Sequence, residues 1–199
     1  MDADTWNARY AASGLVWSAG PNVFVEELCR DLPPGRAIDL AAGEGRNAIW
    51  LAEQGWDATA VDYSDVAIDK ARALAARRGV EITAEVADLE QYVPTPGAYD
   101  LVLVAYLQLP HDRLDASLRR AAAAVAPGGT FLLVCHDREN LDRGHGGPQD
   151  PAVLTTPDRV VATLSGLVID RAEVAERRVA TDAGERIALD TLVLAHRDR

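Results

Sequence analysis

Three acids recur in the first half of the chain, each at or near the end of an apolar run. They are Asp39 in "AIDLAAGEGRNA", Asp62 in "AVDYS" and Asp88 in "VADLE". Between the first two lies the turn Gly43-Glu44-Gly45-Arg46-Asn47-Ala48. Glycine lets backbone approach a ligand closely, and a helix following such a turn offers free N–H groups. An acid closing the next strand can accept two hydrogen bonds from ribose hydroxyls, and Asp88 can accept from an adenine amino group. The turn alone matches the G-x-G-x-x-G/A dinucleotide pattern, so a nicotinamide cofactor has to be weighed. Asp39 counts against it: a carboxylate just ahead of the glycine turn disfavours a pyrophosphate and suits an ammonium group. Two histidines are candidate general bases, because histidine titrates near neutrality. His136 ends an apolar strand and His111 begins a helix, both on the edge where doubly wound sheets bind ligands. Each also reads as an ordinary loop residue.

Bringing these groups together requires strands and helices in alternation. Strands are expected over 36–41, 57–63, 80–88, 99–107 and 130–136. Helices are expected over 45–55 and 64–79, the latter capped by Ser64 and Gly79. A further helix with its exit turn is expected over 112–129. This rhythm implies a parallel sheet with helices on both faces. Residues 167–179 and 186–197 break it: they read as strands joined by a short turn, which permits only an antiparallel pair. The expected fold class is a single-domain α/β protein. Its seven-stranded, Rossmann-like, doubly wound sheet is mostly parallel and closes with an antiparallel C-terminal β-hairpin. Residues 1–35, which carry Trp6, Tyr10 and Trp17 and a helix within 20–32, form a helical cap on the domain 36–199. Residues 136–155 are the one long polar loop.

Composition removes several classes of function. The 20 basic and 31 acidic residues give a net charge of −11. Nucleic-acid affinity rests on Lys and Arg displacing counterions, so neither nucleic acid nor a membrane surface is an expected partner. No apolar run approaches the roughly 20 residues of a membrane span. The polar start "MDADTWNARY" does not resemble a secretory signal, so a cytoplasmic location is expected. The two cysteines, Cys29 and Cys135, form no metal-ligand spacing, and no metal is expected. The single lysine, Lys70, lies outside any Tyr-Lys catalytic spacing, which weakens a short-chain oxidoreductase reading. Oligomeric state is not legible.

Taken in order, these stretches resemble the class I S-adenosylmethionine-dependent methyltransferases. "IDLAAGEG" matches their acid and the last two glycines, with Ala41 at the first glycine position. "VDYS" and "ADLE" resemble the second- and third-strand acidic motifs, and "YDLVLVAYL" and "PGGTFLLV" the fourth and fifth strands. "GEGRNAIWLA", "W-x(3)-Y" and "GPNVFV" look most like the small-molecule enzymes of the tellurite-resistance and thiopurine type. The resemblance implies S-adenosylmethionine as cofactor and a small-molecule acceptor, such as a thiol or another soft heteroatom nucleophile. It implies that Asp39, Ala41, Gly43, Gly45 and Arg46 meet the methionine end. Asp62 and Tyr63 would hold ribose and adenine, and Asp88 and Leu89 would read the adenine edge. Ala105 and Tyr106 would border the methyl group, with Tyr106, His136 and His111 as catalytic candidates. Trp6, Tyr10 and Trp17 would line the acceptor pocket. A nicotinamide-dependent oxidoreductase and a non-catalytic cofactor sensor are the alternatives.

Overall fold

The computed structural model describes residues 3–12, 14–16, 20–182 and 184–199. Helices α1 (Ala3–Ala11) and α2 (Val23–Cys29) precede β1 (Arg36–Leu40), α3 (Arg46–Glu53), β2 (Asp57–Asp62) and α4 (Asp65–Arg78). There follow β3 (Thr83–Val86), β4 (Tyr99–Ala105), α5 (His111–Ala124), β5 (Val125–His136), α6 (Asn140–Arg143) and α7 (Pro157–Val161). The long strands β6 (Val168–Thr181) and β7 (Gly184–His196) complete a seven-stranded sheet of order β3-β2-β1-β4-β5-β7-β6. β1 pairs parallel with both β2 and β4, β4 pairs parallel with β5, and β7 runs antiparallel to β5 and β6. The strand order reverses beside β1, and the crevice at such a switch point is where open α/β sheets receive ligands.

The apolar runs place the core. Along β4, Leu101 and Leu103 face the cluster that contains Phe24 and Val25 of α2 and Trp50 and Leu51 of α3. Val102 and Val104 face Leu114 and Leu118 of α5 and Val160 of α7. A strand covered on both faces carries apolar residues at successive positions, as β4 does from Leu101 to Ala105. The caps are local chemistry. The Ser64 hydroxyl accepts from Ala67 N–H at the start of α4, and Gly79 ends that helix at φ +71°. Gly45 begins α3 at φ +76°, and a Cβ placed there would stand 2.8 Å from the Ala71 Cβ. Gly45→Val therefore combines left-handed strain with overpacking and should cost about 2–5 kcal/mol of stability. Urea unfolding measures this, and a loss under about 1 kcal/mol would contradict it.

Three expectations need correction. Residues 125–129 are not an exit turn but the start of β5: Val125 pairs with Tyr99, and a bulge then leads to the Leu101–Thr130 pair. Gly129 makes this possible, since a Cβ there would meet Ala126 O at 2.9 Å and Tyr99 O at 3.0 Å. The third strand is only Thr83–Val86, because the Asp88 carbonyl takes the N–H groups of Gln91 and Tyr92 and turns the chain. The polar stretch after His136 is organised. Asp137 accepts from the Thr191 hydroxyl at 2.6 Å, and Asn140 Oδ1 accepts from Leu189 N–H at 2.8 Å, fastening it to β7.

Candidate active site

The sheet edge formed by the C-terminal ends of β1, β2, β4 and β5 carries the polar residues. Asp39, one residue before the end of β1, is 1% exposed. Neither of its oxygens has a hydrogen-bond partner among the described residues. Burial pushes its carboxyl up to about 7. Arg46, the Ala48 N–H and the Asn47 amide pull the other way, and Asp62 adds to the rise. A buried carboxyl without partners is costly, and an added cation beside it removes that cost.

The turn after β1 is shaped by three left-handed residues: Ala41 at φ +68°, Gly43 at +54° and Gly45 at +76°. Alanine thus adopts the conformation that the resemblance assigns to a glycine, at the usual strain of about 1–2 kcal/mol. The Gly43 N–H donates to Asp62 Oδ2 at 2.8 Å, and the Ser64 N–H to Asp62 Oδ1 at 2.9 Å. Asp62 is thereby fixed at the tip of β2 next to the glycine turn. Burial raises its pKa, against the N–H groups of Ser64, Gly43 and Tyr63.

Glu44, 3% exposed, is tied to α4 and to the segment after α1. It accepts from the Val16 N–H at 2.9 Å and from Lys70 Nζ at 3.2 Å. Lys70 also donates to the carbonyls of Tyr10 and Gly14. The N-terminal segment is held to the glycine turn in this way. Trp6 and Tyr10 stack at 5.5 Å and pack with Tyr63, Val66 and Ala67, beside the tip of β2. Trp17 lies outside the described residues.

Asp88 is exposed and its Oδ1 accepts from Glu90 N–H at 2.9 Å. The adjoining loop is clamped from α5. Arg120 donates to the carbonyls of Tyr92, Leu89 and Glu90, and the Ser117 hydroxyl to that of Leu89.

Beyond β4 lies a second polar group that the sequence reading only half captured. Tyr106, just past the end of β4, sits at φ +57°, and its ring centroid is 4.7 Å from that of His136. Its hydroxyl donates to Asp190 Oδ2 at 2.8 Å and accepts from Asn22 Nδ2 at 3.0 Å. Burial and Asp190 push the Tyr106 hydroxyl well above its ordinary pKa, so it stays protonated. Arg177 Nε reaches Asp190 Oδ2 at 2.6 Å, and its guanidinium lies 5.6 Å from the Tyr106 ring centroid. His136 Nδ1 lies 3.3 Å from Asp190 Oδ1. Burial alone would raise the Asp190 carboxyl, but His136 and Arg177 outweigh it and hold Asp190 below the usual carboxylate range. Ala105 is buried at the same edge.

His111 stands apart from this group, its Nε2 2.9 Å from the Leu154 carbonyl. Sequence reasoning missed Asp190, Arg177 and Asn22. The visible signal was Asp190, one charge inside the apolar run "IALDTLVLA". Among the described residues, no three His, Cys, Asp or Glu side chains gather as a metal site.

The sheet order, the glycine turn and the acids at the tips of β1 and β2 are those of class I S-adenosylmethionine-dependent methyltransferases. The site suits that class's cofactor: the buried Asp39 oxygens accept no hydrogen bond among the described residues, and Asp62 keeps lone pairs for ribose. Residues 37–129 match the family described as a methyltransferase domain. It is 27% identical over 117 residues to a 2-heptyl-1-hydroxyquinolin-4(1H)-one methyltransferase of Mycobacteroides abscessus, covering 57% of this chain and 52% of that one. The chain spans about half, or less, of the length of the curated relatives it matches. In fold it is similar to a structure solved for the conversion of a disulfide bond into a thioacetal group during echinomycin biosynthesis. That likeness has a TM-score of 0.79 at 22% identity, over 98% of this chain and 91% of that one. It is also similar to TehB from Haemophilus influenzae, with a TM-score of 0.74 at 15% identity over 98% and 67%.

Proposed function

We propose that this domain transfers a methyl group from S-adenosylmethionine to a small-molecule acceptor by in-line displacement. The observation that carries the reading is an adjacency. An unpartnered carboxyl, Asp39, lies near the end of β1, Asp62 with spare lone pairs ends β2, and the polar group Tyr106-His136-Arg177-Asp190 stands beyond β4 on the same edge. When bound, the cofactor supplies a methyl group on a cationic sulfur. The chain's own residues bind, orient and exclude water. Asp62 accepts from the ribose hydroxyls, with Tyr63 beside the adenine. Asp88 and the Leu89 backbone read the adenine edge, on a loop that Arg120 holds in place. Asp39 faces the ammonium group. The turn from Ala41 to Gly45 gives backbone room for the methionine end, with Arg46 beside it. Ala105 and Tyr106 wall the methyl position, and Trp6 and Tyr10 form part of the cover, as residues 1–35 cap the domain 36–199.

The acceptor is small because the polar group is enclosed. Asp190 is fully buried, Tyr106 is half-buried, and Gly147 of the stretch after His136 packs against the His136 ring. The charge of −11 speaks against a nucleic-acid acceptor. Among the described residues no helix is long and apolar enough to cross a membrane.

Calorimetry with S-adenosylmethionine and with NAD, followed by labelled methyl transfer to thiols, phenols and chalcogen oxyanions, tests the reading. Micromolar affinity for S-adenosylmethionine and transfer to at least one acceptor are expected. Affinity for NAD alone, or tight S-adenosylmethionine binding with no transfer, would reject it.

A further inference from the structure

We infer that Asp190 is the positioning residue for a general base at His136 Nε2, and that the acceptor is a hydroxyl that arrives still protonated. The inference rests on the methyl-transfer reading above and adds the class of acceptor to it. His136 and Asp190 are cross-strand partners in the antiparallel pairing of β5 with β7, so the sheet itself sets their juxtaposition. Nδ1 is buried and 3.3 Å from Asp190 Oδ1. The contact falls short of hydrogen-bond geometry, and Nδ1 has no other hydrogen-bond partner among the described residues. Catalytic hydrogen bonds are commonly loose before substrate arrives and tighten in the complex.

Gly147 packs against the ring, where a Cβ would stand 3.0 Å from Nδ1. Asp190 is fully buried and is itself held by Arg177 and the Tyr106 hydroxyl, so it has one orientation. An ionised carboxylate at Nδ1 draws the imidazole proton there and leaves the Nε2 lone pair free, since the hydrogen bond at one ring nitrogen fixes the tautomer at the other. A thiol ionises near neutrality without help, whereas a phenol or alcohol keeps its proton and needs a base.

In the step, the acceptor oxygen's lone pair becomes the new bond to the methyl carbon and the hydroxyl proton passes to Nε2. The electron pair of the broken carbon–sulfur bond stays with sulfur as a neutral thioether. Asp190 neutralises the imidazolium, which then gives its proton to solvent.

Two measurements test this. Long-range proton–nitrogen NMR on the unliganded protein reads the tautomer, with His136→Gln identifying the His136 signals among the four histidines. The Nδ1–H tautomer is expected, and an Nε2–H tautomer would overturn the inference. Kinetics with two probes reads the role. With 4-methylphenol, Asp190→Asn should lower kcat about 100-fold while KM moves less than about threefold; with thiophenol, kcat should stay within about threefold. His136→Gln should give the same selective loss, so the test survives if Asp190→Asn folds poorly. Equal losses on both probes would make the pair structural and overturn the inference. Failure of the methyl-transfer reading registers separately, as absent S-adenosylmethionine binding, while the tautomer readout still decides the His136–Asp190 pair.

Discussion

Asp62→Ala is expected to weaken S-adenosylmethionine binding by about 1.5–3 kcal/mol, the scale of hydrogen bonds to a charged group. An ionised carboxylate offers about four lone-pair sites. The N–H groups of Gly43 and Ser64 take one on each oxygen. The remaining ones can accept a pair of ribose hydroxyls without rearrangement, because those same N–H groups already hold the side chain in place. Truncation also orphans two buried donors, so unfolding free energy should fall by about 1–3 kcal/mol. Calorimetry on the folded fraction separates the two effects. Lower stability with unchanged affinity would leave Asp62 a purely structural tie between the glycine turn and α4.

The second large effect concerns Asp39 and pH. Its carboxyl titrates at 3.8 in the unfolded chain and about 7 in the fold, chiefly because of burial. Between those values the unfolded chain has released the proton and the folded chain still holds it. The folded state therefore binds more protons, and stability falls as pH rises through that window. The full difference is about 4 kcal/mol. Asp39→Asn keeps the shape and removes the titration. Its stability relative to the parent should rise by up to that amount between pH 4 and pH 8 in urea unfolding. A constant difference across the range would contradict the assignment. A ligand ammonium at Asp39 favours the ionised form, so S-adenosylmethionine binding should expel this proton and tighten as pH rises towards about 7. The Asn variant should lose that slope.

The half of the site on β1 and β2 was readable from sequence because it is written in short range. Asp39, the glycine turn and Asp62 fall within one strand-turn-helix-strand unit, and acids inside apolar runs stand out. Ser64 and Gly79 were readable as caps for the same reason: a helix end depends on its own few residues. The acceptor half was not readable. His136 is visible at a strand end, but its partner is a register neighbour on β7, and Arg177 reaches Asp190 from β6. Asn22 reads as the cap of α2, accepting from Phe24 N–H at 2.9 Å, and nothing local reveals that its amide also meets Tyr106. The start of β5 was missed because Pro-Gly-Gly signals a turn, while the bulge that accommodates it depends on β4.

The strand order has a consequence for how the protein matures during synthesis. β7 lies inside the sheet, between β5 and β6, although it is made after both. Residues 36–105 hold β1 to β4 and can pair them while the ribosome is still translating. The His136 side stays an open seam until residues 184–196 have emerged and slid into place. On the methyl-transfer reading proposed above, a nascent chain acquires its donor half before its acceptor half.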